Sequence, residues 1–407
     1  SPPAGAAGTN RRDSPRLTRV RRACATACIG LAMVAPGVAA NADPPRLTWR
    51  PLPPLPDRLG VAGPFVGTHH GALVVAGGAN FPVTAGEDRW SVAKQWHAGV
   101  WVLPAPTVAD GAGDTKAWEG MPPLQRPVAY GAVASTTHGI VCIGGEDGTA
   151  AVTAVTLLAW DAVERRLRAR ALPPLPRPLA FAAAAALCDV VYLAGGQHGT
   201  DAGTATDDFL RLDLAALDSP ASRDGAAAPL AWERLPRIPS GPRSFPVVVA
   251  RPTGAGGVIH VMSGRRPRVG GPPGAIEALL DHVEFDPARY AVDAASGFRS
   301  RADLPHAAMA GTGVAAGPSR VVVVSGDDGT LWERGATLRD AHPGFQPFAL
   351  LYDADLDRWD TLAPPPVNQL ATPALPVAGG FVLISGEVRP RHRSPRAWHV
   401  TIPAADD

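Results

Sequence analysis

The sequence is poor in lysine, cysteine and aromatic residues, and these shortages exclude several classes of protein. Lys94 and Lys116 are the only lysines among 38 basic residues, and the net charge of +1 argues against a nucleic-acid partner. Four cysteines in 407 residues exclude a disulfide-built scaffold. Two of them, Cys142 and Cys188, fall in apolar, strand-like runs that predict buried thiols. Beyond the N-terminal stretch no apolar run approaches the ~20 residues of a membrane span, so no membrane partner is predicted.

The N-terminal region has the pattern of a secretory signal peptide. Six arginines precede an apolar stretch over residues 23–40, and the small-residue cleavage pattern Ala40-Asn41-Ala42 follows. The sequence therefore predicts a signal peptide over residues 1–42, a single domain over residues 43–407 and a periplasmic location.

The rest of the sequence contains six copies of one pattern, and this repeat decides the predicted fold. Each copy has an apolar run that ends in two small residues. These pairs are Gly77-Gly78, Gly144-Gly145, Gly195-Gly196, Ser263-Gly264, Ser325-Gly326 and Ser385-Gly386. An aromatic residue or leucine, followed by a proline-containing turn, precedes each run, at Trp49, Trp118, Leu167, Trp232, Phe298 and Trp359. A third strand-like run follows each small pair.

Six copies of about 60 residues, with short strands and no amphipathic helical stretch, predict an all-β, six-bladed kelch-type β-propeller. The small pair is expected on an inner strand near the channel, where a Cβ would clash with a neighbouring blade. The aromatic residue is expected to be an apolar plug between blades. Because the pattern begins on a Trp-containing strand (residues 46–53) and ends on a third strand (Ala397–Pro403), the N-terminal outer strand is predicted to complete the last blade.

Loops at one end of the channel carry the function of a propeller, so polar residues that the repeat does not need are informative. The residue directly after each small pair is expected to face the channel mouth. In blade order these residues are Ala79, Glu146, Gln197, Arg265, Asp327 and Glu387. Residues 77–82 and 385–393 add an asparagine and three arginines. The sequence therefore predicts a polar pocket of mixed charge on the propeller axis.

Three features together resemble one known family. They are Gly-Gly-Ala-Asn-Phe-Pro at residues 77–82, the Gly-Glu-x-Arg-Pro-x-x-Arg-Ser run at residues 386–394, and the six kelch-like copies. They are similar to the cyclically permuted branch of the sialic-acid mutarotases, the N-acetylneuraminate epimerases. The loop after residue 82 and Arg391, which stands where the family has a small residue, depart from its pattern. These departures bear on which sugar acid is the substrate more than on the type of reaction.

The resemblance implies a sugar isomerase that interconverts the α and β anomers of N-acetylneuraminate or a related keto-sugar acid. It implies Glu387 as the acid/base, with Arg393 beside it. Arg393 is predicted to hold the sugar carboxylate in a bidentate pair. The candidate substrate contacts are Asn80, Glu146, Gln197, Arg243, Arg265 and Arg389. No metal or organic cofactor is expected, the predicted partner is a small sugar acid, and the protein is expected to be a monomer or homodimer.

Other interpretations remain open. Residues 325–332 match the Asp box of sialidases once, directly after a strand rather than at repeated blade turns. A copper-radical oxidase on the same ring would need a Tyr/His/Cys constellation near the axis. The main alternative is a non-catalytic periplasmic kelch module that binds a glycan or protein. Substitution of Glu387 distinguishes it, because an enzyme should lose turnover and keep ligand affinity.

Overall fold

The computed structural model describes residues 46–84, 86–104, 117–218, 230–254 and 256–403. These residues form six four-stranded antiparallel sheets, which confirm the predicted six-bladed β-propeller. The predicted signal peptide lies outside the described residues, so the peptide and the periplasmic location stay predictions.

The blades are numbered 1 to 6 along the chain, and their strands are given from the channel outward. Blade 1 consists of Phe65–His69, Ala72–Ala76, Val100–Leu103 and Glu119–Met121. Blade 2 consists of Ala132–Thr136, Gly139–Ile143, Val155–Asp161 and Arg166–Ala171. Blade 3 consists of Ala183–Leu187, Val190–Ala194, Phe209–Asp213 and Glu233–Arg234. Blade 4 consists of Val247–Thr253, Gly256–Met262, His282–Phe285 and Phe298–Arg301. Blade 5 consists of Thr312–Ala315, Arg320–Val324, Ala349–Asp353 and Arg358–Thr361, and blade 6 of Leu375–Val377, Gly380–Ile384, Ala397–Thr401 and Thr48–Leu52.

Short elements occupy the connections between these strands. Two-stranded ribbons pair Ala79–Asn80 with Gln95–Trp96, Arg265–Pro267 with Ile276–Ala278, and Glu387–Arg389 with His392–Arg393. The α-helices are Pro287–Val292 and Gly335–Leu338, and the 3-10 helices are Ala202–Thr204, Leu214–Leu217, Ala294–Ser296, Trp332–Arg334 and Arg339–Ala341. None of the helices in the described part of the chain has the length and apolar character needed to span a membrane.

The N-terminal strand closes the ring, as the repeat phase predicts. Thr48–Leu52 pairs antiparallel with Ala397–Thr401 and becomes the outer strand of blade 6. The Trp49 ring packs edge-on against Phe381 and Trp398, with ring centroids 6.2 and 6.1 Å apart. Pairing of the first strand with the last blade covers what would be an open sheet edge.

The hydrophobic core is divided among the contacts between neighbouring blades. Val141 and Ile143 of blade 2 pack against Val191 and Leu193 of blade 3, and all four are fully buried. Burial of each such side chain contributes about 1.5–3 kcal/mol. Since every blade shares apolar surface with the next, the ring is held together by side-chain packing rather than by strand pairing between blades.

The outer-strand tryptophans link neighbouring blades, as expected of the repeat. Trp118 Nε1 donates a hydrogen bond to Pro53 O at 2.9 Å, from blade 1 to the turn that follows the outer strand of blade 6. Trp232 Nε1 makes the equivalent bond to Pro173 O at 3.0 Å. The aromatic–proline signature therefore marks an inter-blade contact, with an apolar ring and a satisfied donor.

The small pair ends the second strand of each blade, and the innermost strand precedes it in the chain. Both residues of a pair have positive φ, for example 69° and 97° at Gly77 and Gly78. A Cβ on Gly77 would lie 2.4 Å from Val128 O of the next blade, which confirms the predicted close approach. In the pairs that begin with serine, the hydroxyl can make a hydrogen bond to a neighbouring segment. Ser385 Oγ, for example, accepts from Val61 N at 2.8 Å.

A closed ring of backbone hydrogen bonds crosses the channel. Its six members each have φ between 53° and 66° and are Gly63, Tyr130, Phe181, Phe245, Ala310 and Ala371. The N–H of each member donates to the carbonyl oxygen of the member before it, with N···O distances of 2.6–3.2 Å, and Gly63 donates to Ala371. Five non-glycine residues in the left-handed region are unfavourable individually, and the ring bonds offset that cost.

This hydrogen-bond ring divides the axial space into two parts. The channel on the strand side has a volume of about 410 Å³ and is lined mainly by alanine and valine from the innermost strands. None of the described residues that line it is charged. The charged residues lie on the other side of the ring, so the candidate chemistry is there.

One cysteine prediction is wrong. Cys142 is buried on its strand, and burial raises the pKa of its thiol well above the ordinary range. Cys188 is exposed, because it occupies the two-residue turn between Ala183–Leu187 and Val190–Ala194 with a positive φ of 53°.

Candidate active site

A cavity of about 400 Å³ lies on the loop side of the hydrogen-bond ring. Its floor is aromatic on blades 2, 3 and 4: the Tyr130 and Phe181 rings are 5.2 Å apart and the Phe181 and Phe245 rings 4.8 Å apart. Ala310 and Ala371 supply the floor on blades 5 and 6. An apolar floor with a few polar groups on the walls is typical of small-molecule sites.

Charged side chains line the cavity on blades 4, 5 and 6. Arg265, Asp327 and Glu387 each come directly after a small pair, and all three line the cavity, as the repeat predicts. Each is held by one backbone bridge to the segment before the innermost strand of its own blade, as Glu387 is by Leu370. The ends of three consecutive second strands therefore present a cation and two carboxylates to one space.

Glu387 is held by the run that follows it. Arg393 Nη1 donates to Glu387 Oε1, and Arg391 N donates to the same oxygen at 2.9 Å. The Arg393 side chain is 3% exposed and that of Glu387 is 18% exposed. Among the described residues no hydrogen bond reaches Glu387 Oε2, so this oxygen is left for a ligand.

The other nitrogens of Arg393 also have partners within the protein. Nη2 donates to Tyr130 Oη at 3.3 Å, and Nε donates to Ala79 O at 3.3 Å. Burial disfavours its charge, but Glu387 and Tyr130 outweigh this effect and hold the pKa of Arg393 above its ordinary value. Arg393 thus acts as a fixed cation that orients Glu387, with less of its N–H surface free for a sugar carboxylate than predicted.

The loop of blade 1 forms another wall of the cavity. Phe81 packs beneath Arg391, whose Cζ lies 4.1 Å from the ring centroid, and Arg391 Nη2 donates to Val92 O. Lys94 Nζ lies 4.7 Å from the Tyr130 ring centroid and 3.7 Å from Glu146 Oε1. These contacts join the blade-1 loop to the ribbon of blade 6 and close that side of the site.

Asp327 and Arg265 are both desolvated. Burial raises the pKa of Asp327, although Gly329 N donates to its Oδ1 at 2.9 Å and favours the charged form. Burial lowers the pKa of Arg265 to about 10, so this guanidinium remains charged at neutral pH. The cavity therefore contains a carboxyl that burial biases toward its protonated form, on the blade next to Glu387.

Glu146 and two other predicted substrate contacts lie behind the cavity wall. Glu146 is buried behind Lys94, and burial raises the pKa of its carboxyl. Asn80 is buried; its Nδ2 donates to Gly60 O at 3.0 Å and its Oδ1 lies 2.8 Å from His97 Nε2. Gln197 is also buried, in contact with its own loop. The described lining of the cavity includes none of the three, which support its loops instead.

Arg243 and Arg389 are placed differently from the prediction as well. Arg243 is fully buried between blades, where its Nη2 lies 2.8 Å from Asp281 Oδ2 and 2.6 Å from Ser240 Oγ. Arg389 donates from Nη1 to Asp340 O at 3.2 Å, on the outer rim. Neither belongs to the described lining of the cavity, so of the predicted substrate contacts Arg265 alone lines it.

The floor residues Phe181 and Phe245 were missed in the sequence. The floor aromatics recur one residue after a small side chain, in Ala129-Tyr130, Ala180-Phe181 and Ser244-Phe245, and this repeated signal points to them. Trp332 and Asp327 belong to the Asp-box-like stretch, which leads into the cavity rather than into a blade turn. The described residues contain no group of three or more His, Cys, Asp or Glu side chains that could hold a metal ion.

Fold and site together define a six-bladed kelch-type propeller with a mixed-charge cavity at one end of its channel. A protein named N-acetylneuraminate epimerase from Yersinia pestis is 32% identical over 129 residues, 28% of this chain and 30% of that protein. One of the same name from Brucella suis is 36% identical over 121 residues, 27% of this chain and 29% of that protein. The chain thus matches less than a third of the length of these curated relatives.

The solved structure described as "Structure of YjhT" has the same fold. It superposes with a TM-score of 0.57 at 11% identity, over 88% of this chain and 98% of that one. No family model matches the chain. The predicted resemblance to N-acetylneuraminate epimerases is therefore confirmed for about a quarter of the sequence. The structural likeness covers most of the chain and concerns the fold alone.

Proposed function

We propose that this protein is a mutarotase that interconverts the α and β anomers of N-acetylneuraminate or a related 2-keto sugar acid. One observation carries the proposal: Glu387 is fixed in the cavity through one carboxylate oxygen, while the other is left for a ligand. The name of the curated relatives supports the substrate class, and the cavity of about 400 Å³ suits a monosaccharide.

Mutarotation needs one proton removed and one supplied in each direction. Glu387 Oε2 accepts the proton of the anomeric hydroxyl, and the bond from the anomeric carbon to the ring oxygen breaks as that oxygen takes a proton. The open-chain ketone turns about its bond to the next carbon. The ring then recloses on the other face: the ring hydroxyl loses its proton and Glu387 returns one to the carbonyl oxygen.

Asp327 is the group we assign to the second proton. It lines the same cavity on the neighbouring blade, and burial favours its protonated form. A protonated Asp327 donates to the ring oxygen and takes the proton back on closure. Two carboxyl groups in different environments thereby divide the acid and base roles. Positioning of the sugar over the aromatic floor supplies further acceleration.

The test is proton NMR of a freshly dissolved single anomer of N-acetylneuraminate, with wild-type protein and with Glu387→Gln. We expect wild type to speed equilibration and Glu387→Gln to lower that acceleration by about 10²–10⁴-fold, the usual worth of a positioned acid/base. Binding of the sugar acid should persist in the variant.

Glu277→Gln is the matched control. Glu277 is also a ribbon carboxylate paired with an arginine, 2.8 Å from Arg266 Nε, but it does not belong to the described lining of the cavity. Full activity in Glu277→Gln and none in Glu387→Gln supports the proposal. Sugar-acid binding without acceleration in wild type contradicts it and favours the binding module.

A further inference from the structure

Arg265 is the cavity cation whose charge the protein leaves unpaired. Its Cζ lies 4.8 Å from the Phe245 ring centroid and 4.3 Å from the Trp332 ring centroid. Its Nε is buried without a hydrogen-bond partner. Within the described residues no ion-pair partner contacts this guanidinium, although Asp327 and Glu387 are near enough to favour its charged form.

The other cations of the cavity differ from Arg265. Arg393 donates from all three nitrogens to protein oxygens, and Lys94 pairs with Glu146. Arg391 also stacks on aromatic rings and has a buried Nε without a hydrogen-bond partner, but its Nη2 donates to Val92 O. A buried charge without a partner is costly, and proteins retain such groups where a ligand completes them. Among the described arginine and lysine side chains of the lining, Arg265 is thus the one that makes neither an ion pair nor a hydrogen bond to the protein.

Aromatic stacking prepares Arg265 for that task. The Phe245 and Trp332 rings lie within cation–π distance of the guanidinium. A guanidinium held in this way can still donate two parallel hydrogen bonds to a carboxylate. Stacking also removes rotamer freedom before the ligand arrives, which lowers the entropic cost of binding.

We propose that Arg265 is the anion-binding residue of the cavity and takes the carboxylate of the sugar acid, the role that the sequence had suggested for Arg393. This inference rests on the proposed function. In a 2-keto sugar acid the carboxylate is attached to the anomeric carbon. Its capture on blade 4 therefore holds the reacting carbon on the side of the cavity that carries Asp327 and Glu387.

The experiment compares N-acetylneuraminate with its uncharged methyl ester by isothermal titration calorimetry. Wild type should prefer the acid. Arg265→Gln should weaken acid binding by about 10- to 100-fold, the range of a charge-assisted bidentate pair, and leave ester binding unchanged. The affinity of Arg265→Lys for the acid should lie between those of wild type and Arg265→Gln, because lysine keeps the charge but lacks the planar guanidinium.

Arg266→Gln is the matched control, since Arg266 is the next residue of the same ribbon and pairs with Glu277 outside the described cavity lining. It should bind acid and ester like wild type. The melting temperature of Arg265→Gln should be close to that of wild type, because removal of a desolvated cation without an ion-pair partner is offset by the loss of its contacts with Phe245 and Trp332.

The outcomes separate the two proposals. Unchanged preference for the acid in Arg265→Gln, or a sharp fall in its melting temperature, overturns the assignment of Arg265 and leaves the mutarotase proposal standing. If wild type binds neither acid nor ester and accelerates no mutarotation, the proposed function falls and the assignment of Arg265 falls with it.

Discussion

Two clusters of charged side chains lie in this propeller, and they differ in how completely their charges are paired. The blade-4 cluster lies on the face of blade 4 toward blade 5 and comprises Arg251, His260, His282, Glu284, Arg299 and Arg301. Its centre is Glu284, which is fully buried. Glu284 lies 2.6 Å from Arg299 Nε, 3.0 Å from Arg301 Nη2 and 3.2 Å from Arg251 Nη2.

The cavity cluster has the same chemical groups with fewer partners. Glu387 has one arginine and one backbone N–H, both on a single oxygen, and Arg265 has aromatic rings in place of a carboxylate. Charge in the blade-4 cluster is therefore used to join strands. The charges of the cavity cluster have fewer partners within the protein, as expected of a site that binds a ligand.

The largest expected effect comes from breaking the complete cluster. Glu284→Gln removes the buried counter-charge shared by Arg251, Arg299 and Arg301, of which Arg251 is itself buried, and should lower the free energy of unfolding by about 3–5 kcal/mol. Urea denaturation followed by tryptophan fluorescence measures it. Glu387→Gln serves as comparison and should cost less, because it removes the counter-charge of one arginine, Arg393, which still donates to Tyr130 Oη and Ala79 O. Equal losses in the two variants would remove the distinction between the clusters.

Acidification should also act through the blade-4 cluster. Burial lowers the pKa of His282 to about 4 from an ordinary 6.5, with Glu284 and Asp357 favouring its charge and Arg301 opposing it. Between these values the unfolded chain binds more protons than the folded one, so stability falls as the pH drops. One such group contributes roughly 3 kcal/mol over that window.

Urea midpoints at about pH 7 and about pH 5 measure the part of this loss above pH 5, which is roughly 2 kcal/mol. In His282→Asn the difference between the two midpoints should shrink but persist in part, because His282 no longer titrates while His260, whose pKa burial also lowers, remains. The substitution of exposed His70 by Gln should leave the difference as in wild type. A wild-type stability that stays constant over this range would contradict the prediction.

The smallest expected effect on stability comes from a variant in the cavity cluster. Asp327→Asn keeps the shape of the side chain and its acceptor for Gly329 N, but removes the proton donor. Mutarotase acceleration should fall by about 10²-fold, with the free energy of unfolding within about 0.5 kcal/mol of wild type. Asp328→Asn is the control, because Asp328 caps Thr330 on the surface. Full activity in Asp327→Asn would contradict the assignment of Asp327 and would mean that Glu387 makes both proton transfers.

The repeat made the fold predictable, because six copies of one strand pattern allow one closed arrangement. The site was predictable only in part. Position after the small pair places Arg265, Asp327 and Glu387 in the cavity, yet the same position in blades 2 and 3 leaves Glu146 and Gln197 buried behind the wall. The conformation of each loop decides whether this side chain lines the cavity or is buried behind its wall, and the strand pattern contains no information about loop conformation.

The sequence alone determined the number of blades, the closure by Thr48–Leu52 and the run that contains Glu387, since each is a local pattern repeated along the chain. Pairing of charges was decided by tertiary structure. Arg243 and Arg265 both belong to blade 4 and both were candidate ligand contacts, yet one has Asp281 as its partner and the other has two aromatic rings. Residues that are distant in the chain thus determine which arginine is paired within the protein and which remains available to a ligand.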